Sequence, residues 1–498
     1  MDTDLPMPRS KLLTTLFVAL LAGAALWYMW MIASAKLEWG GDSPDQQQVG
    51  AVKDTRLRAM TQYCTGVTVT AQGTWLVARL ESDAQALEPA ADVVNLDVVV
   101  YGKADENKES EESGAFAGLF SRGDKETSFI SRLDAHGQFQ LVAHVSGAAC
   151  LVASPDGGSV FLLTGLDRPE TANTDEIRQT VVLRSDDQGR RWTWLTKGWF
   201  PEADQLAWNL APYFHGANEV WVLGRPSAPD EGSMQGTPGA ISTGVFYSAD
   251  RGANSTPIMA PESLLVSTEY LHNKRPDVTE WQTNAGEHGE TQTNVLQLDA
   301  QHAFIWVSQR FWGSHPDGVS DNIAFNVTTR ARLHAKAGQW QVVDVQRDDN
   351  LFVGKLIQND AGRVIGLIDQ GDHGQDVVAE LDTTALTWTP LSDLPSVFAP
   401  LASDSRLRGG NFWVGRDTLL INTSSEHHPP RWLYWWSDAN ISADGVFYSR
   451  DWGRSWQRLD IDGYLGILGF QPAQDRVIWA KGNWYDNNDG RIYSYGLR

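Results

Sequence analysis

Ser449-Arg450-Asp451-Trp452-Gly453-Arg454-Ser455-Trp456 follows the short apolar run Gly445-Val446-Phe447-Tyr448. Together they read as a strand, a tight reversal and the start of a returning strand. A Ser and an Asp ahead of a Gly can hydrogen-bond the backbone of their own turn, and the Gly takes the positive φ that closes it. The Trp returns along the next strand and covers the turn with a large apolar face. Ser185, Asp187, Gly189 and Trp192 keep the same offsets after Val181-Val182-Leu183-Arg184. Ser248, Asp250 and Gly252 keep them after Gly244-Val245-Phe246-Tyr247, with Ser255 where the Trp would stand. None of these residues is a reaction centre; they predict a fold rather than an activity.

Working outward, a plan of four strands recurs along the chain. One set of tight turns falls at Gln72-Gly73, Asp156-Gly157, Ala217-Asn218, Ala300-Gln301, Ala361-Gly362, Arg416-Asp417 and Gln474-Asp475. A second falls at Ala135-His136-Gly137, Gln188-Gly189, Arg251-Gly252, Ala337-Gly338, Thr383-Thr384 and Trp452-Gly453. Gly338-Gln339-Trp340 and Leu386-Thr387-Trp388 keep part of the motif. Short strands repeating at a period of tens of residues signal a propeller, because one blade cannot bury both faces alone. The expected fold is an all-β propeller of about seven four-stranded blades, with six as the alternative. The blades run 61–145, 146–200, 201–265, 290–345, 346–394, 395–460 and 461 to the end. The last lacks a fourth strand, which residues near Val49 to Arg58 can supply to close the ring.

The pattern S-x-D-x-G-x-x-W resembles the Asp-box, or BNR, repeat of sialidase-like β-propellers. In that family the box is a fold-stabilising turn away from the ligand site; sialidases have six blades, other members seven. The resemblance implies, for its glycosidases, an arginine triad, a Tyr activated by Glu and an Asp acid/base. The first arginine normally lies in an Arg-Ile-Pro motif on the opening strand. Here that strand reads Met60-Thr61-Gln62-Tyr63-Cys64-Thr65-Gly66, and Arg275-Pro276 falls in an insertion. Arg225, Arg310 and Arg431 begin or lie within long loops, and none is assignable to a triad position. Retained turns without catalytic landmarks favour a noncatalytic propeller. A sialidase-like exo-glycosidase or a lectin-like glycan binder is the alternative.

The 498-residue chain carries a formal net charge of -22 and is 42% hydrophobic. That acidity argues against nucleic acid or an anionic membrane surface as partner. Residues 12–35 hold no charge and are long enough to cross a bilayer, with Trp27, Tyr28 and Trp30 near the outer end. Arg9 and Lys11 leave residues 1–11 in the cytoplasm. A cleaved signal peptide ending at Ala33-Ser34-Ala35 is the alternative. Residues 36–60 read as a tether containing the ring-closing strand, and 61–498 as the propeller, placed in the bacterial periplasm on an inner-membrane anchor. Asn254, Asn326, Asn422 and Asn440 open glycosylation sequons, which would matter in a eukaryotic secretory pathway. Cys64 and Cys150 are the only cysteines, and either one disulfide or two separate thiols fits them.

The long connections are Gly102 to Thr127, Gly165 to Arg178, Arg225 to Thr243, Arg310 to Asn322, Ser424 to Asp444 and Ser267 to Glu290. All should crowd one face, opposite the tight turns, and long loops on a rigid scaffold commonly carry function. Their residues Arg310, Trp312, Trp435 and Trp436, with Trp484 and Tyr485 from the stretch Asn483 to Asp489 of the last blade, are the expected binding set for a protein partner or a glycan. Packing of the loops against the blades is the alternative for each Trp. His427-His428 and Asp486 to Asp489 lack metal-ligand spacing, so neither a metal nor a cofactor is expected.

Overall fold

The computed structural model describes helical residues 17–20, 22, 23 and 26, and most of 47–497. Outside the described residues lie 1–16, 27–46, 61–65, 81–86, 102–126, 168–177, 196–204, 207–212, 226–243, 260–263, 283–289, 315–322, 371–375, 396–404, 428–440, 460–466, 481–489 and the positions 21, 24, 25, 55, 60, 71, 72, 148, 155, 279, 360 and 498.

Strands β1 (Gln47–Val52), β2 (Leu57–Ala59), β3 (Val67–Thr70), β4 (Gly73–Leu80), β5 (Val94–Asn95), β6 (Thr127–Leu133) and β7 (Gln138–Ser146) open the chain. Next come β8 (Ala149–Ala153), β9 (Val160–Asp167), β10 (Arg178–Ser185) and β11 (Thr193–Trp194). Then follow β12 (Gln205–Leu206), β13 (Tyr213–His215), β14 (Glu219–Arg225), β15 (Gly244–Ser248) and β16 (Thr256–Met259). The middle of the chain gives β17 (Glu280–Gln282), β18 (Glu290–Gln297), β19 (His302–Ser314), β20 (Ile323–Lys336) and β21 (Gln339–Asp349). Two further quartets are β22 (Leu351–Gln358), β23 (Val364–Gln370), β24 (Asp376–Asp382) and β25 (Thr387–Asp393), then β26 (Ser405–Val414), β27 (Leu419–His427), β28 (Ile441–Ser449) and β29 (Gln457–Leu459). The last strands are β30 (Ile467–Gln471), β31 (Arg476–Ala480) and β32 (Arg491–Gly496).

These strands form a β-propeller: five antiparallel sheets of four or five strands, and one sheet of ten. Every tight turn expected from the sequence falls between two antiparallel neighbours. The ten-stranded sheet contains the meander β3-β4-β6-β7 and the set β30-β31-β32-β1. Strand β1 joins them, antiparallel to β32 and parallel to β7 through Ala51↔Gln138 and Val52↔Phe139. The segment Gln47–Val52 thus pairs at the outer side of β32. A Cβ on Gly50 would lie 2.4 Å from Leu133 Cδ1 and 3.0 Å from Phe139 Cε2, so a larger residue there would have to displace those side chains.

Alternating residues put one apolar row on each face of a sheet, and each row packs against the next sheet. Trp75 and Ile130 meet Leu151 and Val181; Leu163 meets Val220; Trp221 meets Ile305. Onward, Trp306 meets Val353, Ile365 meets Phe412, and Leu420 meets Ile467. Ile478 then meets Leu76, which returns the core to its start. The first strands also neighbour one another, β3 with β8 and β30, β18 with β13 and β22, and β22 with β26. They form the inner ring.

No helix among the described residues is long and apolar enough to cross a membrane. Of segment 12–35 the described residues are helical, and Phe17, Val18, Leu20 and Leu26 are exposed.

Candidate functional site

The three Ser-Asp-Gly turns are nearly superimposable in their hydrogen bonds. Each Ser Oγ accepts from the Gly N–H, at 2.9 Å for Ser185, 2.8 Å for Ser248 and 2.7 Å for Ser449. Each Oγ donates to the Asp, which accepts from the N–H of Arg191, Asn254 or Ser455. The residue before each Gly also takes positive φ: Gln188 at 69°, Arg251 at 58° and Trp452 at 61°. Gly189 and Gly453 answer a second constraint. A Cβ on either would press on the preceding sheet, at Trp75 (3.1 Å) or Ser392 Oγ (2.4 Å). Trp192 and Trp456 fill the same inter-sheet seams, as do Trp340 and Trp388 in the degenerate copies. Hydrogen bonds hold these carboxylates below their ordinary range; for Asp451 the Ser455 hydroxyl is the main cause. These residues therefore brace one end of the sheets.

The opposite end carries the long connections, and there the structure revises the expected site. Arg310 is not in a loop. Strand β19 continues to Ser314 and β20 starts at Ile323, so Arg310 pairs with Asn326 across the ladder. Its side chain is 9% exposed and its Nη2 lies 2.8 Å from Asp369 Oδ2, itself 1% exposed. Nε donates to Asn326 Oδ1 (3.1 Å), Asn326 Nδ2 donates to the same Asp369 oxygen (2.9 Å), and the guanidinium carbon sits 4.4 Å from the Phe352 ring centre. A buried cation needs such a counter-ion and hydrogen bonds to offset desolvation. Trp312 lies two residues on, its backbone paired with Gln282 and Ala324. Trp435, Trp436, Trp484, Tyr485 and Arg431 lie outside the described residues.

Other polar groups gather at this end. Between β16 and β18 a helix, Thr268–Lys274, is capped by Ser267 and packs Leu271 with Trp281, Phe311 and Phe325. Tyr270 donates its hydroxyl to Asp349, Lys274 pairs with Asp349 at 2.6 Å, and Arg347 lies 4.8 Å over the Tyr270 ring. The short helix Leu96–Tyr101 brings Asp97 to the end of β7, where the Ser146 Oγ donates to it at 2.6 Å. Burial pushes the Asp97 carboxyl up and the nearby His144 imidazole down. On the inner ring, Lys355 Nζ lies 5.6 Å from the Trp413 ring centre, and burial pushes its ammonium down to about 8. The sequence had singled out neither the Asp97–His144 neighbourhood nor Lys355, which look like an ordinary helix start and an ordinary strand residue.

Among the described residues no group of three or more His, Cys, Asp or Glu is placed to hold a metal ion. Cys150 is in a disulfide, and Cys64 lies outside the described residues. Asn326 and Asn422, at 1% and 0% exposure, are sealed inside strands, whereas Asn254 is exposed on its turn and Asn440 lies outside the described residues.

No family model and no curated protein sequence matches the chain. Among solved structures it is similar to the α-L-arabinofuranosidase Arb93A of Fusarium graminearum, at 11% identity over 81% of this chain and 98% of that one, with TM-score 0.35. It is also similar to a polysaccharide lyase acting as an ulvan lyase (10% identity, 81% and 86% covered, TM-score 0.34). A third is a puromycin-hydrolysing peptidase of Mycobacterium tuberculosis (13% identity, 89% and 61% covered, TM-score 0.37).

Proposed function

We propose that the protein is a seven-bladed Asp-box propeller, held at a membrane by its amino-terminal segment, that binds a protein partner through the face of long connections. The count of seven takes the ten-stranded sheet as two blades fastened by β1, beside the five smaller sheets. The recurring Ser-Asp-Gly hydrogen bonds support the Asp-box reading. Exposed Phe17, Val18, Leu20 and Leu26 on a helical stretch support an anchor at 12–35, with the propeller in the periplasm of a bacterium.

One observation carries the binding reading. Most connections between second and third strands are long, as from β4 to β6, β14 to β15 and β27 to β28, and so is the connection from β16 to β18, while the turns at the other end are short. A rigid scaffold that spends its extra chain at one end presents that end. The ion pair of Arg310 with Asp369 removes Arg310 from the binding set and makes it a brace beneath that face. Trp312, Trp435, Trp436, Trp484 and Tyr485 remain as the contact set.

The test is affinity capture and cross-linking of the detergent-solubilised full chain from its native envelope, beside a variant with those five residues changed to Ala. A protein cross-linked to the loop face of the parent and absent from an equally stable variant is the expected result. Failure to capture anything, with hydrolysis of a glycoside by the purified protein, would overturn it in favour of the glycosidase alternative.

A further inference from the structure

Two cations rest on aromatic rings beside the inner strand β22, and among the described residues only one of them has a carboxylate partner. Arg310, over Phe352, has Asp369. Lys355, over Trp413, is half-buried and has no carboxylate partner among the described residues. Lys355 belongs to β22 and Trp413 to β26, so the ammonium lies where the first strands of two neighbouring sheets meet on the inner ring. Lys355 faces the Leu367 position across the ladder, with Gly354 at the adjoining bulge, and neither offers a charge.

We propose that Lys355 and Trp413 form a binding site for a small oxyanion, a carboxylate or a phosphate, on the inner ring of the propeller. The anion would give Lys355 what Asp369 gives Arg310. An ammonium held out of water without a counter-ion is costly, and a bound oxyanion offsets that cost by Coulomb attraction and hydrogen bonds to the three ammonium donors. The Trp413 face stabilises the cation and takes no place in neutralising it, so the anion would add the missing counter-charge. The depressed proton affinity of Lys355 agrees with this geometry, since it reflects burial with no opposing charge. The chain's net charge of -22 draws no anions from a distance, so affinity must come from this local contact.

The experiment is a pH titration of the full chain in detergent, with lysine side chains carbon-13 labelled at Cε and Lys355 assigned by its loss in Lys355→Met. Acetate and inorganic phosphate are added separately. Saturation by either should raise the titration midpoint of Lys355 by about one unit or more, with the surface lysines unmoved. Acetate alone acting identifies a carboxylate site, and phosphate alone a phosphate site. Should Lys355→Met fail to fold, Lys355→Arg supplies the second test. Its binding persists at pH 10, where the parent's weakens roughly tenfold per pH unit above its midpoint. No movement with either anion, or equal movement of every lysine, would overturn the site.

Discussion

The two ends of the propeller's sheets use carboxylates in opposite ways. At the tight-turn end Asp187, Asp250 and Asp451 bond atoms two to four residues away, beside solvent. Beneath the long-connection end Asp369 neutralises Arg310, 59 residues distant and buried. The first kind of carboxylate shapes a turn that its own segment already favours. The second makes tolerable a charge that the apolar seam between β19 and β23 would otherwise exclude. A local turn can lose one hydrogen bond and still form, whereas a buried cation cannot lose its counter-ion cheaply.

The sharpest way to break that contrast is Asp369→Ala. It should cost about 3–5 kcal/mol in denaturant unfolding, because the buried guanidinium loses the Asp369 carboxylate. Replacing both partners, Arg310→Met with Asp369→Leu, should recover most of that loss. A double variant as unstable as the single one would show that the pair is not the source of the cost. Ser449→Ala comes next, expected to lose about 1–3 kcal/mol, since the buried Gly453 N–H loses its acceptor. An unchanged unfolding midpoint would mean that the turn's hydrogen bonds carry nothing.

The smallest effect is read from pH. The Ser455 hydroxyl and backbone N–H hold the Asp451 carboxyl below its ordinary value. Its contribution is therefore present above the unfolded carboxylate pKa and fades as pH falls through the lowered folded one. The gap in melting temperature between the parent and Asp451→Asn should narrow from pH 7 downward through the acidic range. A gap independent of pH would show that Asp451 acts as a shape and not as a charge.

Much of this architecture is legible in the chain because its signals are short. Ser185-Asp186-Asp187-Gln188-Gly189 names its own reversal, and the alternation in β4 or β14 names two buried faces. The expectation of a closing strand came from a local deficit, the absent fourth strand after β32. Arg310 misled because Arg-Phe-Trp-Gly-Ser-His-Pro looks like loop chemistry, yet the period-two pattern of Trp306, Ser308 and Arg310 runs on through it. A buried arginine reads as a loop residue until its distant carboxylate is known. Lys355 escaped notice for a related reason, since nothing near it in sequence distinguishes a half-buried lysine over an aromatic ring from a solvated one.

What the amino-acid order determined by itself is the set of strands, their tight turns and the repetition that makes a propeller. Backbone propensity, glycine φ and hydrophobic alternation act over a few residues and need no partner to be read. Tertiary structure alone decided which sheet faces which, that β1 clasps both β32 and β7, that Arg310 belongs to Asp369, and that Lys355 meets Trp413. Those contacts join residues far apart in the chain, and burial and Coulomb energy depend on distances that only the folded ring sets.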